Sequence, residues 1–72
     1  MNPLQKKAVL NNLGLLECCK VGPTQYSASF YKIVSRNVYT AVSHSFGNTE
    51  ADAVARLYTL VNRWMWNKMF EI

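Results

Sequence analysis

Gly47-Asn48-Thr49-Glu50-Ala51-Asp52-Ala53-Val54-Ala55-Arg56-Leu57-Tyr58-Thr59-Leu60-Val61-Asn62-Arg63-Trp64-Met65-Trp66-Asn67 is the stretch on which the reading of this chain turns. Gly47 and Asn48 end the preceding pattern, and the Thr49 hydroxyl can accept from the first exposed amides of a helix. Thr49-Glu50-Ala51-Asp52 has the form of a capping box, with both acids at the positive end of the helix dipole. At 100° per residue, Ala53, Val54, Leu57, Tyr58, Leu60, Val61, Trp64 and Met65 cover one apolar half. Asp52, Arg56, Thr59, Asn62, Arg63 and Asn67 fall on the other half. Trp66 lies among the polar residues and breaks the pattern. A long amphipathic helix from Thr49 to about Asn67 is predicted.

Working outward, Thr24 to Phe46 changes to Tyr, Phe, Ser, Thr, Val and Ile, a composition of strands. Ser35-Arg36-Asn37 interrupts it as a hairpin loop, with Asn37 able to take positive φ. One strand is expected near 25–34 and another near 38–46. In the first, Tyr26, Ala28 and Phe30 alternate with Ser27, Ser29 and Tyr31. In the second, simple alternation sets Val38, Thr40, Val42, His44 and Phe46 against Tyr39, Ala41, Ser43 and Ser45. Leu15 to Val21 reads as a further strand, either face of which could turn inward, ended by Gly22-Pro23. Asn2-Pro3 opens a short first helix and Gly14 is placed to end it. The links are too short for parallel crossovers, so the sheet is antiparallel. The expected fold is α+β, one domain over 1–72, two helices on a small sheet in the order α-β-β-β-α.

The chain has 72 residues, half of them apolar and 17% charged. That balance argues for a packed core rather than disorder. A chain this size buries only roughly 60% of its unfolded surface, so homo-oligomerisation or a covering partner fits the apolar excess. The net charge of +4 permits an anionic partner. However, Lys6, Lys7, Lys20, Lys32, Arg36, Arg56, Arg63 and Lys68 are spread thinly, and a nucleic-acid footprint would cluster them. No apolar run is long enough to span a membrane, and the N-terminus lacks the pattern of a signal peptide. With two adjacent cysteines, this predicts a cytoplasmic protein with reduced thiols.

No reaction chemistry is legible. Cys18 and Cys19 with His44 fall short of a zinc tetrahedron, and nothing marks an oxyanion hole for a Cys–His pair. The acids form no acid–base pair, and the three glycines sit at element boundaries rather than in a phosphate loop. The expectation is a non-enzyme with no catalytic residue, cofactor or metal. The aromatics carry more information. A sheet with helices on one side leaves half of its strand residues facing away from the core, and Tyr with Arg or Trp is a common composition of binding surfaces. Cross-strand pairing of Tyr31 with Tyr39 is the plainer alternative. The candidate contact residues are Tyr31, Arg36, Tyr39, Arg63 and Trp66.

Two resemblances follow from these residues. A strand ending at Ser43-His44-Ser45-Phe46, then Gly47-x-Thr49-x-x-x-Ala53-x-x-Arg56, resembles small phage-encoded proteins of the ABA-sandwich type. That likeness implies an accessory protein, with an anti-CRISPR role among those open to it, that binds or inhibits a host protein or complex in the host cytosol. It offers no catalytic residues. The order helix, three strands, helix, with Gly22-Pro23 followed by Phe30, is similar to double-stranded RNA-binding domains, which implies nucleic-acid binding as the alternative. Those domains begin the last helix with clustered lysines; here Glu50 and Asp52 occupy that place and would repel phosphates.

Overall fold

The computed structural model describes residues 1–70, with side-chain surroundings given through residue 66. Helix α1 (Pro3–Leu13) starts as expected: Asn2 and Gln5 exchange a reciprocal capping box, each side chain accepting from the other's backbone N–H. Strands β1 (Leu15–Gly22), β2 (Gln25–Ser35) and β3 (Val38–Gly47) follow, then helix α2 (Glu50–Phe70). The three strands form one antiparallel sheet in the order β1-β2-β3. The fold is therefore α+β, α-β-β-β-α, as the sequence predicted. Asn37 closes the β2–β3 hairpin at φ 65°, the left-handed region that Asn tolerates.

Both helices cover the same face of the sheet. Leu10 from α1, Ala28 and Phe30 from β2, and Ala53, Val54, Leu57 and Val61 from α2 form one buried cluster. Leu16 and Cys18 pack against it, so β1 turns Leu16 and Cys18 inward and Leu15, Glu17 and Cys19 outward. Trp64 and Met65 pack on the core as the helical pattern required, whereas Leu60 is exposed. Thr49 caps α2, its hydroxyl accepting from the Asp52 amide at 3.1 Å. Ser45, buried in β3, donates to the Ala53 carbonyl at 2.7 Å and ties the helix to the strand. Lys7, midway along α1, bridges to Glu50 at the start of α2 at 2.7 Å.

Gly14 follows α1 in an extended conformation (φ −177°) open to any residue, so it is not a left-handed cap. Space is what demands glycine there. A Cβ would collide with the Tyr31 carbonyl and come within 2.9 Å of the Phe30 ring.

One expectation about β3 is overturned. Its faces do not alternate without interruption, because two register shifts interrupt the β2–β3 ladder. Ser35 pairs with Val38 but Ile33 with Tyr39, and Tyr31 pairs with Ala41 but Phe30 with Ser43. The second shift makes Val42 an extra residue, a bulge that packs Val42 against the core side. Residues opposite one another share a face. Tyr39 and Ala41 therefore lie on the outer face with His44 and Phe46, and not with Ser43 and Ser45.

Candidate interaction surface

The bulge assembles a surface on the side of the sheet away from the helices. Across the strands its rows read Cys19–Ser27–Phe46, Glu17–Ser29–His44, Leu15–Tyr31–Ala41 and, towards the hairpin tip, Ile33–Tyr39. Leu15, Ile33, Tyr39 and Phe46 are 39%, 55%, 48% and 45% exposed, so large apolar and aromatic side chains meet solvent here. Glu17 is the one charged side chain in these rows.

The centre of the surface is polar. Ser29 Oγ and His44 Nδ1 lie 2.6 Å apart, and the His44 ring meets Phe46 edge to face with centroids 4.6 Å apart. Ser29, Tyr31, Ala41 and His44 line a shallow depression of about 290 Å³ beside the bulge. A serine–histidine contact invites comparison with a catalytic pair, but the geometry is that of a surface hydrogen bond. In the row Glu17–Ser29–His44 the acid neighbours the serine, so it cannot hold the imidazole as a triad acid does. Among the described residues no three His, Cys, Asp or Glu side chains come together to hold a metal ion.

The sequence-derived contact residues divide between two sides. Tyr31 and Tyr39 are on the outer face but not directly opposite, since Tyr31 faces Ala41 and Tyr39 faces Ile33. They are diagonal neighbours, and the direct Tyr–Tyr pair is absent. Arg36 stands at the exposed hairpin turn beside them. Arg63 and Trp66 are exposed on α2, in the helical layer on the opposite side of the sheet. The surface thus gathers three of the five. Leu15, Ile33 and His44 belong to it and were not among the sequence-derived contact residues.

The other basic residues lie elsewhere. Lys20 sits over the Tyr26 ring at 5.9 Å and Lys6 over the Tyr58 ring at 5.6 Å. Lys7 pairs with Glu50, whose hydrogen bond and charge raise the lysine above its ordinary value. Arg56 donates to the Phe46 carbonyl at 3.2 Å, covering one open acceptor on the β3 edge. Lys32 alternates to the helix side of the sheet, opposite Thr40.

Both thiols are free; Cys19 is exposed and Cys18 half-buried. Burial, with the Glu50 carboxylate adding to it, pushes the Cys18 thiol up.

Set against protein families, curated proteins and solved structures, the chain finds no match. No helix among the described residues is long and apolar enough to cross a membrane.

Proposed function

We propose that this chain is a non-enzymatic binding protein whose working surface is the uncovered sheet face, and that its partner is a protein. One observation carries the reading. The face displays Leu15, Tyr31, Ile33, Tyr39 and Phe46 around a hydrogen-bonded centre, and the one charge within its strand rows is negative. Aromatic and aliphatic anchors with few charges are what the core of a protein interface is made of. A phosphate backbone would need cations there. Arg36 at the hairpin turn extends this surface at its rim. Arg63 and Trp66 give a second contact on the helical side. The likeness to small phage-encoded accessory proteins extends the proposal to a host macromolecule bound or inhibited in the host cytosol.

The element order also favours a second reading, binding of double-stranded RNA. Its weakness is the start of α2, where Glu50 and Asp52 stand and Glu50 already engages Lys7.

Capture from a bacterial host lysate on the tagged chain tests the first reading. A protein should be retained by the wild type and lost with Tyr39→Ala. Saturable binding to double-stranded RNA at low salt, with no protein captured, would favour the second.

A further inference from the structure

We infer that the uncovered sheet face is also where a second copy of this chain docks, sheet against sheet, in a symmetric dimer. The inference rests on the reading of that face as the working surface, and three features name a copy as its occupant.

The first is what the isolated chain leaves undone. Among the described residues seven apolar side chains are buried, while twelve large ones are exposed, and four of these (Leu15, Ile33, Tyr39 and Phe46) stand in the outward rows. A domain this small has little stability to spare, and a helix layer on one side closes only half of the sheet. A second copy is a partner present wherever the chain is made.

The second is area. A standard stable interface takes about 800 Å² from each partner, and this face offers Leu15, Ile33, Tyr39 and Phe46, 39–55% exposed, with exposed Cys19, Ala41 and His44 across all three strands. Two sheets packed face to face interdigitate their inner side chains at about 10 Å separation, which suits the rows Leu15–Tyr31–Ala41 and Ile33–Tyr39.

The third is charge. A chain of net charge +4 should repel its copy, but the described cations lie off this face, except Arg36 at its rim. Lys6, Lys7, Arg56 and Arg63 are on the helices, Lys20 and Lys32 on the helix side of the sheet, and Arg36 at the hairpin turn. Face-to-face packing keeps the helical layers outermost and the like charges apart. Glu17 lies on the edge strand, at the rim of such an interface, where it can stay hydrated.

Sedimentation velocity of the full chain over a wide concentration range tests this, with two variants of adjacent residues. Ala41 is exposed on the outer face and Thr40 is exposed on the other side of the same strand. The wild type should sediment as a dimer at high concentration. Ala41→Glu should raise the dissociation constant about tenfold or more, by placing an unpaired carboxylate in the interface, and Thr40→Glu should leave it unchanged. Alkylation of Cys19 in the wild type should slow as the dimer forms, a readout that needs no variant to fold. A chain that is monomeric throughout, a dimer indifferent to Ala41→Glu, or equal weakening by both variants overturns the inference. A monomeric wild type whose lysate capture is still lost with Ala41→Glu removes the dimer and leaves the proposed binding function standing. A dimer parted by Ala41→Glu, with no protein ever captured, supports the dimer and removes that function.

Discussion

Ser29 and His44 face one another across β2 and β3, Oγ to Nδ1 at 2.6 Å, on the side of the sheet that carries no helix. The contact fixes the imidazole at the middle of the outer surface. Ser29→Ala should cost about 1 kcal/mol of stability, the usual worth of one hydrogen bond, measured by urea denaturation. Because no acid among the described residues holds the imidazole from its other side, a fluorophosphonate probe should leave Ser29 unlabelled. Stoichiometric labelling would overturn the non-enzymatic reading.

Gly14 is irreplaceable for reasons of space. A methyl group would press on the Tyr31 carbonyl and on the ring of Phe30, which is fully buried. Gly14→Ala should destabilise the chain by about 1–3 kcal/mol, the range of an overpacked core. Gly22→Ala meets only an ordinary 3.7 Å contact with Gln25 Cβ and serves as the control. Equal midpoints for the two variants would show that the α1–β1 junction is looser than described.

The start of α2 depends on Thr49. Thr49→Ala removes the acceptor for the Asp52 amide and should cost about 1 kcal/mol, as N-cap losses do. Lys7→Met should cost less, because the ion pair with Glu50 is solvent-exposed and such pairs contribute about 0–1 kcal/mol. Chemical denaturation of both variants tests the order of the two effects.

The two thiols should behave differently despite being neighbours. Cys19 is exposed, while Cys18 is half-buried with its thiol held above the ordinary value. In single Cys→Ser variants, iodoacetamide should modify Cys19 readily and Cys18 slowly. Folding raises both Cys18 and Lys7 above their unfolded values of 9.0 and 10.5. Their stabilising contributions are complete below those values and fade as pH rises through the folded ones. The urea midpoint should therefore fall above about pH 9, and Cys18→Ala should flatten that fall.

The sequence revealed the elements better than their relative placement. The cap at Thr49 and the 3.6-residue pattern of α2 are local signals, as is Asn37 at the hairpin turn. The bulge at Val42 has no comparable signature: no glycine marks it, and it exists because Val42 turns to the core while Tyr31 takes Ala41 as partner. Gly14 was correctly set at a boundary, but its need for space is tertiary. Of the surface, Tyr31, Tyr39 and Arg36 were legible as aromatic and basic strand or turn residues. The Ser29–His44 contact was missed because the loop read as Ser35-Arg36-Asn37 counts back to Ser29 opposite Ser43, whereas the observed turn is one residue shorter. Counting back residue for residue from the Ser35–Val38 pair returns Ser29 opposite His44, because the two one-residue shifts cancel. Between the shifts the offset persists, and it is there that Tyr39 reaches the outer face.

That face as the working surface is the central claim, and parallel capture on three tagged chains tests it most directly. Wild type and Thr40→Glu should retain the same host protein, and Ala41→Glu should lose it, because only Ala41 lies on the uncovered side of the strand. Capture that survives Ala41→Glu undiminished would place the working surface elsewhere and contradict the account.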